Sequence, residues 1–330
     1  MSPTAICGLD MNGTRENTSR MKLRDFLLAL TLAAVTNGAL EAAQEGSGLP
    51  PPEPDSTVRL TPSEKVLYDF APTLITWTPQ QIRDFPTLHK LKPAESQDQL
   101  PMILDRAGET STVAFEDFPQ VSCDEALVSE TSDSSKPRHE KFRYIVLPRP
   151  VGGVRNLDEY RTDPEGNPSE RMTTRDLYMV TSGFASIWLY LSPAERHENH
   201  FRYFGTQTLR NRECYVVGFA QNSERARRIE EFRAQEVTAS LLLQGLAWVD
   251  TQSFQILRVM TWLIAPRPDI DLSSQISTVD FYAVQPVGTE RVLWLPRDVK
   301  VWALYRGVTV RNTHQYSNFK LFRVESAIKP

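Results

Sequence analysis

The chain has three cysteines in 330 residues, too few for a disulfide scaffold. A chain of this length must hold together by burying an apolar core, and it is long enough to do so. It has no excess of positive charge: the formal net charge is −4 at pH 7. The basic footprint of a nucleic-acid partner is therefore missing. No apolar run approaches the roughly 20 residues that a membrane-spanning helix needs. Gly-x-Ser-x-Gly, a phosphate loop ending in Lys-Ser/Thr, a dinucleotide fingerprint and His-Glu-x-x-His are all lacking. These absences leave no recognisable motif for catalysis, no cofactor and no metal, so the reading is of a non-enzymatic protein.

What is there begins at Met21. Residues 1–20 are polar and turn-rich, an over-called or extended N-terminus. Met21-Lys-Leu-Arg24 then precedes the apolar run Phe26 to Val35, Asn37-Gly38-Ala39 and Ala42-Ala43. A short basic stretch, about ten apolar residues and small residues at a cleavage point make a secretory signal peptide over 21–43. A core helix would carry a polar face, and Leu27 to Val35 has almost none. No Cys follows the run, so lipid attachment at a new N-terminus is not indicated. The expected address is periplasmic or secreted, with no transmembrane segment after cleavage. Residues 44–60, with Gly46, Gly48 and Pro50-Pro51-Pro52, read as a linker.

A helical lead-in is predicted over 61–120. Thr61-Pro62-Ser63-Glu64 and Thr78-Pro79-Gln80-Gln81 each place a cap residue, Pro at the first helical position and a carboxylate or amide that can return the bond. A longer helix is predicted over 97–118, weakened by Gly108 and Thr110-Ser111-Thr112. From 121 to 330 stretches of β-branched and aromatic residues alternate with Gly, Pro, Asn and Asp, which predicts an antiparallel β domain. Arg306-Gly307 marks a two-residue hairpin and Asp250 to Ser253 a short turn. One helix is expected inside this domain, near 174–199. The fold class is thus α+β.

The long strands do not alternate cleanly. Val237, Ala239, Leu241, Leu243, Ala247 and Val249 share one face, yet Leu242, Leu246 and Trp248 lie on the other. The same holds from Phe254 to Ile264 and from Val299 to Arg306. Both faces need a cover. Helices can supply one; a second sheet, a partner or a ligand could supply the other. Trp248, Met260, Trp262 and Trp302 are the candidate residues to line an apolar site, with core packing as the alternative for Trp248 and Trp262.

Long antiparallel strands after a helix, with Gly245-Leu-Ala-Trp-Val-Asp250 followed by Gln255-Ile-Leu-Arg258, resemble the lipoprotein-carrier (LolA/LolB-like) superfamily over about residues 97–326. The chain otherwise looks like secreted bacterial proteins of unassigned role. The resemblance implies a strongly bent antiparallel sheet, an unclosed barrel, with helices packed on its concave side and a hollow able to hold acyl chains. The partners it implies are a lipid or a lipidated protein. An envelope structural or protein-interaction module without a small ligand is the alternative.

Other candidates have simpler readings. His197 and His200, three apart, lack the third ligand that a zinc site needs. Asp163-Pro-Glu165-Gly-Asn167 lacks the closing Glu of a Ca²⁺ loop and reads as a turn. Asp269 and Asp271 flank Ile270 after a Pro-rich loop and could form a carboxylate pair. An enzyme would require several of these to converge. Cys123 and Cys214 can pair in an oxidising compartment, or be two buried thiols that never meet.

Overall fold

The structure, a computed structural model, describes residues 60–117, 121–151, 154–166, 184–226, 230–234 and 237–321. The expected signal peptide, nearly all of the linker and the first part of the internal helix lie outside the described residues.

Two short helices open the described chain, α1 (Pro62–Asp69) and α2 (Pro79–Asp84). Both expected capping boxes form. The Glu64 amide donates to Thr61 Oγ1 at 3.3 Å and the Thr61 amide to Glu64 Oε2 at 2.8 Å. The Gln81 amide donates to Thr78 Oγ1 at 3.3 Å and the Thr78 amide to Gln81 Oε1 at 2.8 Å. Short 3-10 turns at Leu74–Thr76 and Pro86–Leu88 follow each helix. After β1 (Lys92–Pro93) comes α3 (Leu100–Asp117). Its polar run does not break it: Thr110 and Ser111 hydroxyls donate to the Ala107 carbonyl and Thr112 to Gly108, so they bond back within the helix.

The strands then run β2 (Val121–Thr131), β3 (Arg138–Val151), β4 (Val154–Thr162), β5 (Asn199–Leu209), β6 (Arg212–Gln221), β7 (Glu230–Ala234) and β8 (Val237–Leu241). They continue as β9 (Leu243–Asp250), β10 (Ile256–Leu263), β11 (Leu272–Val284), β12 (Leu293–Tyr305) and β13 (Val308–Leu321). Eleven form one antiparallel sheet in the order β1-β5-β6-β9-β10-β11-β12-β13-β2-β3-β4, while β7 and β8 pair separately. The two ends of this order do not pair, so the barrel is unclosed. In β7, Phe232 is buried against Tyr305. The expected strand over 237–249 divides at Leu242 into β8 and β9. The strand expected from Val299 begins earlier, at Leu293, because a bulge at Pro296–Asp298 absorbs the proline. β4, over 154–162, was not expected. Residues 184–191, expected as part of an α-helix, form a 3-10 helix.

Side chains alternate along β9 between two cores. Ala247 and Val249 join Val259, Val279, Val299 and Val301 under α3 and the 184–191 turn. Leu246 and Trp248 join Val216 and Leu257 beneath Leu74 and Leu88 of the lead-in. Helices therefore cover both faces, where the sequence pointed to one. The lead-in is no separate body: β1 pairs with β5 at Thr206 and Gly205. Gly205, at φ +131°, permits this approach, since a Cβ there would meet the Lys92 carbonyl oxygen at 2.0 Å. The rest of that edge is blunted by Gln97, whose side-chain amide bonds both the N–H and the C=O of Tyr203 at 2.8 Å.

Candidate functional site

The lead-in is tied to the sheet by polar contacts at several points. Gln244, buried on β9, accepts from the Leu74 amide at 2.7 Å. Arg202 donates to the carbonyls of Ile75 at 3.0 Å and Trp77 at 2.6 Å. Gln207 accepts from Trp248 Nε1 at 2.8 Å and donates to the Thr87 carbonyl at 2.9 Å. Arg267 is almost wholly buried. It pairs with Glu64 at 3.0 Å, forks onto Asp269 at 2.9 and 2.7 Å, and donates to the Ser240 carbonyl. Glu64 is thus at once the capping residue of α1 and its anchor to the sheet.

Where the lead-in stops, an apolar groove begins. Trp77 stacks on Trp262 with ring centroids 6.0 Å apart, and Phe85 packs on both, at 5.0 and 5.5 Å. Beside this aromatic wall lies an open cavity of about 440 Å³, lined by Phe85, Thr87, Met260, Trp262, Ser274 and Ile276. That volume falls within the range of small-molecule sites, roughly 300–1,000 Å³. Strand register extends its floor. Trp262 stands opposite Ile276, Ile276 opposite Trp302, and all three share the lead-in's face. Met260, Trp262, Ile276 and Trp302 are each only partly buried.

Two of the four lining candidates, Met260 and Trp262, thus line the cavity, on the face opposite α3, and Trp302 lies on that face beyond Ile276 in register. Trp248 does not join them: it is 2% exposed and committed to the core by its bond to Gln207. Phe85, Thr87, Ser274 and Ile276 carried no signal of their own in the sequence. Their part in the groove arises from strand register and from where the lead-in lands.

A second constellation, not foreseen from sequence, lies on α3's face of the sheet. Glu125 of β2 accepts from Arg161 of β4 at 2.5 and 3.0 Å. It also bonds His314 Nδ1 at 2.7 Å and Tyr316 Oη at 3.1 Å, both on β13. Arg161 lies over the ring of Tyr144 on the intervening β3, at 5.2 Å. Burial alone would raise the Glu125 pKa, but Arg161 and the hydrogen bond from His314 outweigh it and lower it to about 2. Burial lowers the pKa of His314. Glu125 is 1% and His314 0% exposed, so the cluster ties four adjacent strands together and offers no surface to substrate.

The remaining candidates are dispersed. Asp163 lies in a turn closed by the Gly166 amide at one end of the sheet order, and His200, near the other, contacts Asn222 at 3.0 Å. His197 sits in a short 3-10 turn. Asp269 is held by Arg267, and Asp271 takes a left-handed conformation at the end of a 3-10 turn. Among the described residues no group of His, Cys, Asp and Glu could hold a metal ion. Cys123 and Cys214 are free, buried thiols, the second of the two readings their sequence left open. Cys123 belongs to the core under α3 and Cys214 to the core under the lead-in, so the sheet itself separates them. Among the described residues no helix is long and apolar enough to cross a membrane.

No family model matches the chain, and neither does any curated protein. Solved structures do. A LolA superfamily protein from Nitrosomonas europaea is 15% identical over 68% of this chain and 94% of that one, at a TM-score of 0.33. A DUF1329 family protein from Desulfovibrio piger is 14% identical over 69% and 95%, at 0.38. The Mycobacterium tuberculosis lipoprotein LppX is 10% identical over 66% and 95%, at 0.24. Each is a loose likeness, at low identity and low TM-score.

Proposed function

We propose that this is an exported, non-enzymatic binding protein that takes a lipid-like apolar ligand, or the lipid of a lipidated partner, in the groove between the lead-in and β10–β12. The observation that carries this reading is the cavity of about 440 Å³ floored by Met260, Trp262 and Ile276 and walled by Phe85. Apolar side chains left half-wet beside a formed cavity gain free energy when a ligand covers them, at roughly 25 cal/mol per Å². Export rests on the basic and apolar segment from Met21 to Ala43. The test is native mass spectrometry of the protein from Gln44 onward, purified from a periplasm, with organic extraction. A stoichiometric lipid supports the reading. A clean apo mass that mixed lipids do not change overturns it.

A protein-interaction reading has its own observation. Val66 on α1 and Phe70 at its C-cap, four residues apart, are 58% and 85% exposed. It predicts a partner cross-linked at α1 and no extractable ligand.

A further inference from the structure

We propose that the groove is selective for an anionic amphiphile, a single lipid molecule whose acyl chain lies on Met260, Trp262, Ile276 and Trp302. Its acidic head, carboxylate or phosphate, rests on Lys300 and Arg311. This rests on the apolar-groove reading above and adds the charge of its ligand.

Register places the two cations. Met260 pairs with Thr278, and Thr278 with Lys300. Trp262 pairs with Ile276, Ile276 with Trp302, and Trp302 with Arg311. Residues opposed in register point to the same side of a sheet, with strands about 4.8 Å apart. Lys300 therefore stands two strands from Met260 with only the short Thr278 between, and Arg311 borders Trp302 directly. Both are exposed.

The carboxylates nearest to Lys300 on this face are already engaged. Asp280 is held by both nitrogens of the Arg258 fork at 2.9 Å, and Asp298 by Arg297 at 3.3 Å. Glu130 opposes Arg311 in register without forming an ion pair. Among the described residues no carboxylate stands within ion-pair distance of Lys300 or Arg311. In register, the sheet face thus passes from the aromatic wall and the cavity, across neutral Thr278 and Trp302, to two unpaired cations. A neutral lipid would use the floor and leave the cations idle. A monomer is favoured over a membrane surface because the apolar floor is recessed beside Phe85.

The test follows tryptophan fluorescence while the native protein is titrated, below the micelle threshold, with a fatty acid and with the monoacylglycerol of the same chain. Wild type, Lys300→Gln, Arg311→Gln and the double variant are compared at low and high salt. Both positions are exposed, and equal urea midpoints confirm that folding is untouched. The wild type should favour the anion roughly ten-fold, about half of that from each charge on a logarithmic scale, as expected of exposed ion pairs. The double variant should bind both ligands equally, and salt should narrow the wild-type preference. Equal binding of both by the wild type, or a preference that survives in the double variant, overturns the charge selectivity and leaves the groove. Binding of neither overturns both. Association with anionic vesicles without uptake of monomer overturns it in favour of a membrane-surface role.

Discussion

The indole of Trp77 stacks on that of Trp262 at 6.0 Å with 21° between the ring planes, and this contact joins the lead-in to the wall of the groove. Because Trp262 is only partly buried, Trp262→Ala should cost roughly 1–3 kcal/mol, less than the 3–5 kcal/mol typical of a fully buried aromatic. Ligand uptake should fall far more. Trp248→Ala should show the reverse, a cost of about 3–5 kcal/mol from a filled core. Urea unfolding and ligand titration on both variants measure the contrast; equal stability losses would remove the distinction between wall and core.

Glu125 and His314 predict the acid limb of stability. The folded pKa of Glu125, about 2, lies below its unfolded value, so its contribution is complete above the unfolded pKa. It is lost as pH falls from about 4.3 towards 2. The folded pKa of His314 is likewise depressed, so its contribution fades as pH falls below about 6.5. Both act in one direction: stability should decline gently below pH 6.5 and steeply below pH 4.5. Glu125→Gln strands a buried Arg161 and should cost about 3–5 kcal/mol at neutral pH while flattening the steep limb. Urea midpoints between pH 3 and 7 decide it. An unchanged acid limb in the variant would show that other groups set it.

Arg267 predicts how the lead-in comes loose. Arg267→Ala removes the donor to the Ser240 carbonyl and the partner of Glu64, with a cost of roughly 2–3 kcal/mol. The loss should be local. Limited proteolysis should cut near α1 at denaturant concentrations where the sheet is intact. Cleavage that tracks global unfolding would mean that Arg267 supports the whole domain.

The two thiols should be silent. Burial, then Glu125 and Asp124, hold the Cys123 pKa above the usual thiol range. Burial and Asp250 raise that of Cys214 to about 11. A thiol reagent at pH 8 should label neither position in the folded protein and both in guanidinium. A labelling pattern that depends on prior reduction would reveal a disulfide.

The hairpins, caps and two-sided strands were legible because their causes are local. Thr61 and Glu64 sit three residues apart, and Arg306-Gly307 carries its own backbone preference, with φ values of 50° and 73°. Alternation along β9 already showed that both faces needed a cover. The bulge at Pro296 has a local cause too, since proline lacks the ladder donor, but it was not read from the sequence.

What the sequence by itself determined is the capped helices, most of the strands, the antiparallel class and the demand for two apolar layers. It also named two residues that line the cavity, Met260 and Trp262. Only the tertiary structure decided which cover lies on which face, that Trp248 belongs to the core, and that Glu125, Arg161 and His314 meet. Those outcomes depend on contacts between residues 36 to 189 positions apart. Register and landing point are set by the summed packing of the whole sheet, and no local pattern encodes them.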